Sequence, residues 1–229
     1  MKRSTIYVAA LLWLFACPAA FAGYNEGLTA LSSGDNIRAY NEFKYAAEEG
    51  DVRAQNRLGV MNDLGQGIPQ NYTEAVKWYL KAADKGFAES QYNLGMMYLI
   101  GKGVAQNSAE AIKWLRYAAD QGHVWAQNTM GYLNATGQGM PQNFTEAEKW
   151  YRMASEQGFA SAQCNLGVMY YKGQGVPQDY VQAHMWFNLA ATGGHADAQK
   201  WREEVARKMS PAQLTEAQRL ASDWFLRKK

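Results

Sequence analysis

A glycine–x–glycine turn followed by an aromatic, charged helix occurs four times in this chain at a fixed spacing. The turns start at Gly65, Gly101, Gly137 and Gly173, 36 residues apart. The first copy reads GQGIPQNYTEAVKWYLKAADKG and the last reads GQGVPQDYVQAHMWFNLAATGG. One such turn feeding a helix can present bare backbone N–H groups to a phosphate. A nucleotide loop is not copied at constant intervals, whereas a period of roughly 20–50 residues marks a stacked array. The turn is therefore read as a connector, and the single-site reading loses its support.

The period 87–122 shows what each unit is. Ser90, Leu94 and Tyr98 recur on one face of a first helix. Gly95 follows Leu94, and Gly59, Gly131 and Gly167 hold the same slot. A glycine inside a helix costs about 1 kcal/mol relative to alanine, so its repetition predicts a neighbouring helix at close approach. Gly101 and Gly103 end the first helix. Asn107, with Glu110 three residues on, predicts a capping box for the second, repeated as Asn71/Glu74, Asn143/Glu146 and Asp179/Gln182. Trp114, Ala118 and Ala119 follow at helical spacing, and Gly122 closes the helix as a left-handed residue. Each unit has an apolar face it cannot bury alone, so the units stack. The periodic tryptophans Trp78, Trp114, Trp150 and Trp186 are read as core.

This spacing divides the chain into four units, 51–86, 87–122, 123–158 and 159–194. Residues 23–50 keep Ala46, Ala47 and Gly50 but shorten the turn to Ser33-Gly34-Asp35, which predicts an N-terminal capping pair. In residues 195–229, Arg202 and Glu203 stand where the other units have Leu-Gly. A C-terminal cap is predicted there. One helix runs to about Met209, and a last one is capped by Ser210 and Gln213. Ala217, Leu220, Trp224 and Phe225 are available on it to cover the final apolar face.

The first 22 residues, MKRSTIYVAALLWLFACPAAFA, read as a leader to be removed. Lys2 and Arg3 precede an apolar run too short to span a bilayer, and Ala20-Phe21-Ala22 offers small residues at the cleavage positions. Export to a periplasmic or secreted location is expected. A rival reading takes Leu-Phe-Ala-Cys as a box for lipid attachment at Cys17, which the bulky Phe15 fits badly. No second apolar run of spanning length follows. The chain carries 23 basic and 21 acidic residues, and two of the basic ones lie in the leader. The remainder is neutral and lacks the basic footprint of a nucleic-acid binder. Beyond the leader, Cys164 is the only cysteine, so no internal disulfide is available.

At this point the residues match a family. Ala162-x-x-x-Leu166-Gly167-x-x-Tyr170-x-x-Gly173-x-Gly175-Val176-x-x-Asp179-x-x-x-Ala183-x-x-Trp186-Phe187-x-x-Ala190-Ala191-x-x-Gly194 closely resembles the Sel1-like repeat, a relative of the tetratricopeptide repeat. The resemblance covers 51–194 strongly and the flanks weakly. Asn62 and Asn134 depart from it where Tyr98 and Tyr170 stand in the other units, and Ala105 replaces the proline seen as Pro69, Pro141 and Pro177. The resemblance implies an all-α, right-handed α-solenoid that binds other proteins as an adaptor or regulator. Secreted bacterial relatives have been linked to envelope signalling, host-cell entry and cell-wall enzymes. A cysteine-rich branch is associated with β-lactams, but its paired cysteines are missing from these repeats.

A search for chemistry finds little. The chain has no Ser-x-x-Lys, no His-Glu-x-x-His and no Gly-x-Ser-x-Gly. His123 and His195 occupy the slot of Phe87 and Phe159 and are read as structural. His184 is read as a surface or stacking residue, and Cys164 as an inert thiol. No catalytic residue, metal site or cofactor is expected. Hydrolysis of β-lactam or peptidoglycan-like substrates remains the alternative function.

Trp125 breaks a pattern. Its slot holds Arg53, Glu89, Ser161 and Asp197 elsewhere, all polar. It aligns at i, i+3, i+7 with Asn128 and Tyr132, and the equivalent stripe in neighbouring units holds Tyr92, Met96, Leu99 and Tyr171. These seven residues form the candidate binding stripe for a protein or peptide partner on the first helices. Local packing is the competing explanation of the same pattern.

Overall fold

The computed structural model describes residues 18–228, and side chains from residue 23 onward. Most of the expected leader, Cys17 included, lies outside the described residues. Twelve α-helices and no strand make up the described part, the repetitive all-helical architecture of a helical solenoid. Its contacts divide into two compact units, one through Asn107 and one from Ser108.

The first unit holds α1 (Pro18–Ser32), α2 (Asn36–Glu48), α3 (Val52–Leu64), α4 (Tyr72–Asp84) and α5 (Ala88–Ile100). Consecutive helices pack pairwise. Ala39, Phe43, Ala46 and Ala47 of α2 meet Ala54, Leu58 and Met61 of α3 and Trp78 of α4 in one buried cluster. The helical glycines are there for contact. A Cβ on Gly59 would collide with the Tyr79 ring, and one on Gly27 would stand 2.6 Å from the Phe43 ring. The second contact shows that the shortened leading pair packs as the full units do.

The turn glycines do two jobs. Gly65 takes φ +70° and closes α3 through its N–H to Met61 O. Gly67, at φ +75°, lies so near the start of α2 that a Cβ would sit 2.5 Å from Asn36 O. The glycine–x–glycine motif thus turns the chain and lets it rest on the preceding second helix.

The second unit holds α6 (Ser108–Asp120), α7 (Val124–Thr136), α8 (Phe144–Glu156), α9 (Ala160–Lys172), α10 (Tyr180–Thr192), α11 (Ala198–Ala206) and α12 (Pro211–Arg227). The repeat tryptophans across the chain are 2–7% exposed. Each first helix is also tied to the preceding helix by a buried glutamine. In the first unit Gln55 Nε2 donates to Ala47 O at 3.0 Å and Gln91 Nε2 to Ala83 O at 3.2 Å. In the second, Gln127 reaches Ala119 O at 3.1 Å and Gln163 reaches Ser155 O at 3.2 Å.

The capping pattern is half of the expected box. Asn71, Asn143 and Asp179 accept from the N–H of Glu74, Glu146 and Gln182, as the spacing predicts. Glu74 and Glu146 turn instead to Lys77 and Lys149 one turn on. α12 shows the full reciprocal box, between Ser210 and Gln213.

The chain's end departs from the sequence reading in one respect: α11 stops at Ala206, short of Met209. α12 then packs on α10, whose outer face differs from the other second helices. Where those carry Lys77, Lys113 and Lys149, α10 has Met185; Lys81, Tyr117 and Met153 are matched by Leu189. Met185 and Leu189 are buried in one cluster with Ala221 and Trp224 of α12. Leu220 packs beside them, whereas Phe225, expected to join the cover, is 38% exposed.

Candidate protein-binding face

The candidate stripe falls across both units, three residues on α5 and four on α7 and α9. On α5, Tyr92 and Met96 are half-buried. Leu99 is buried at 8% exposure and belongs to the packing, not to an open stripe.

On α7 the two aromatic members stand open. Trp125 is 54% exposed and Tyr132, two turns on, is 50% exposed. Trp125 is not wholly unsupported. Its ring meets Phe159 edge-on, with centroids 4.6 Å apart and planes at 67°. Phe159 is the N-cap residue just before α9, so the indole bridges from α7 to the start of the next first helix and keeps about half its surface in solvent. Thr129 beside it donates back to Trp125 O at 2.8 Å.

Asn128, between the two aromatics, accepts through Oδ1 from Asn165 Nδ2 on α9 at 3.3 Å. The first unit repeats this with Asn56 Oδ1, which accepts from Asn93 Nδ2 at 3.4 Å and from Ser90 Oγ at 2.8 Å. Arg53, in the Trp125 slot of that unit, is instead bound to Asp51, which caps α3, and lies over the Tyr24 ring at 4.2 Å.

Tyr171 lies differently from the sequence reading. Its hydroxyl donates to Glu204 Oε1 at 2.7 Å and accepts from Lys208 Nζ at 2.5 Å, and its ring packs against Tyr180 and Trp201. It therefore helps hold α11 in place, and the part of the candidate stripe that the second unit leaves open is Trp125 and Tyr132, with Asn128 and Asn165 beside them.

The groups screened for chemistry are embedded in packing. His123 caps α7, its Nδ1 accepting from Ala126 N at 3.2 Å, a polar role that the phenylalanine in its slot cannot fill. Burial pushes the Cys164 thiol up to about 11, with Asp197 adding to the effect, so the thiolate is disfavoured. Of the two readings given to His184, surface or stacking, burial at 6% exposure rules out the first. Among the described residues no group of three or more His, Cys, Asp or Glu side chains could hold a metal. No helix there is long and apolar enough to cross a membrane.

The model of the Sel1 repeat family matches residues 52–87, 88–123, 126–159 and 160–195. Comparison with curated proteins gives no match. Among solved structures, c5321, a protective antigen present in uropathogenic Escherichia coli strains and displaying an SLR fold, aligns with a TM-score of 0.80 at 32% identity. That alignment covers 89% of this chain and 46% of c5321, so this chain spans less than half of that protein. A Sel1 repeat protein from Oxalobacter formigenes aligns with a TM-score of 0.77 at 33% identity, over 86% of this chain and 82% of that one. The immunity protein Pa5087 from Pseudomonas aeruginosa shares the fold alone, with a TM-score of 0.52 at 20% identity over 90% and 84% of the two chains. Four matched repeats over most of the chain, and two solved relatives above 30% identity, establish that this chain belongs to the Sel1 repeat family.

Proposed function

We propose that the chain is an exported, non-enzymatic scaffold or regulator that holds a protein or peptide segment against its first helices, with Trp125 and Tyr132 as anchors. The Sel1 repeat is a scaffold consistent with protein–protein interaction. The observation that carries the finer reading is Trp125: a tryptophan 54% exposed in a slot that is polar in every other unit. Tryptophan and tyrosine are the residues most enriched where interface energy concentrates. Asn128 and Asn165 add polar groups beside them, which can fix the orientation of what docks.

The test uses a photo-reactive amino acid in place of Tyr132 and, separately, of Met153, which is 51% exposed on a second helix. The full chain is incubated with an envelope extract and irradiated. Covalent capture of one defined protein from position 132, and none from 153, is the expected result. Capture from 153 alone would move the binding surface to the second helices.

A further inference from the structure

His184 of α10 is 6% exposed, and its Nδ1 is enclosed without a hydrogen-bond partner. The same slot holds Val76, Ile112 and Glu148 in the other units. α9, α11 and α12 pack on α10, and α8 shares a buried cluster with it, its Glu146, Glu148 and Glu156 paired with Lys149, Arg152 and Lys228. From α11, Arg202 Nη1 donates to Asn188 Oδ1 at 2.7 Å, which brings the guanidinium within one helical turn of His184 on α10. The carboxylates these elements carry act on other groups, and Asp197, which precedes α11, bears on Cys164. The only charged residue of α9 is Lys172. On α11, Glu204 accepts from Tyr171 and Glu203 accepts from Gln199. On α12, Glu216 and Asp223 are both paired with Arg219. α10 itself carries no charged residue besides the histidine.

Protonating His184 therefore puts a new cation into an enclosed site beside Arg202. Burial first, and the like charge second, hold its pKa below the ordinary 6.5. The folded site binds the proton less well than the opened one. The contribution of neutral His184 to packing is thus complete above about pH 6.5 and is lost as pH falls through that value toward the folded pKa.

We propose that the α10–α11 contact is an acid-released latch, in which protonation of His184 against Arg202 frees α11 from the last repeat. The helix that would leave is a small lid. Its Ala198 and Val205 close over Cys164, Ala183, Phe187 and Ala190, with Trp201 stacked on Phe187. Opening it uncovers the apolar end of the array and the buried thiol together. Cys164 is therefore a built-in reporter.

The experiment follows the reaction of Cys164 with dithiodipyridine in the full chain carrying Cys17→Ser. Each rate is divided by that of the same chain unfolded in urea at the same pH, which removes the intrinsic pH dependence of the thiol. The normalised rate is expected to rise roughly tenfold between about pH 7.5 and about pH 5, with the helical circular dichroism retained. His184→Val, which copies the first unit, and His184→Gln, which keeps a neutral polar group, should both flatten the profile. A flat profile in the unsubstituted site overturns the latch. So does a rise that survives both substitutions, or one that occurs only together with loss of the whole helical signal.

Discussion

Removing the indole of Trp150 tests whether the stacked repeats carry the fold. The side chain sits on α8 with 7% of its surface exposed. An aromatic residue buries roughly 150–250 Å². At about 25 cal/mol per Å² that is roughly 4–6 kcal/mol of transfer free energy. The alanine methyl retains a small part of this, and the cavity left behind adds a cost because neighbours relax only partly. Trp150→Ala should therefore destabilise by about 3–5 kcal/mol, the range for truncating a buried Phe or Trp. Equilibrium urea unfolding, followed by far-ultraviolet circular dichroism, reads the change as a lowered midpoint at unchanged slope. A loss below about 0.5 kcal/mol, the range of surface substitutions, would refute the reasoning, because the periodic tryptophans would then not be core.

Three further outcomes follow from the packing and the proposed leader. Gly131→Ala places a Cβ 2.5 Å from the Tyr151 ring, and the overpacking should cost about 1–3 kcal/mol; an unchanged melting temperature would mean that α7 and α8 do not pack this closely. Ser210→Ala removes the capping box of α12 and should cost about 1 kcal/mol in urea unfolding, whereas no change would show that α12 does not depend on its cap. On the proposed export, the protein recovered outside the cytoplasm should have the mass of a chain beginning at Gly23, while a diacylglyceryl adduct on Cys17 would establish the lipoprotein reading instead.

What the sequence made legible, and what it hid, divides along the range of the interactions. The period of 36 residues and its glycines dictate helix pairs, because the left-handed turns are local and each glycine–aromatic contact, such as Gly59 with Tyr79, stays within one pair of consecutive helices. The asparagines that break the repeat pattern become intelligible only in three dimensions. Asn62 and Asn134 are buried, and each donates to the carbonyl four residues earlier, Leu58 O and Met130 O at 2.8 Å. The glutamines that tie each first helix to the helix before it look like surface residues in a helical pattern, and only stacking buries them. Near the C-terminus the decisive events are tertiary. α12 settles on Met185 and Leu189, and α11 covers Cys164 and engages Tyr171. His184 is enclosed by that arrangement, and no local pattern on α10 announces it. Leu99 shows the limit of the stripe argument, since a helical period places residues on one face but does not say which of them a neighbour covers.

The central claim is that Trp125 anchors a protein ligand, and Trp125→Ser tests it most directly. Serine is the residue the fourth unit uses in this slot, as Ser161. The substitution deletes the edge contact to Phe159, a loss of about 0.5–1.5 kcal/mol, so the mutant should remain folded with a modestly lowered melting temperature. Titrated calorimetrically against the protein captured by cross-linking, it should bind about 30-fold more weakly, the equivalent of roughly 2 kcal/mol at an interface hot spot. A folded mutant with the affinity of the unsubstituted chain would contradict the account and place the ligand on another surface.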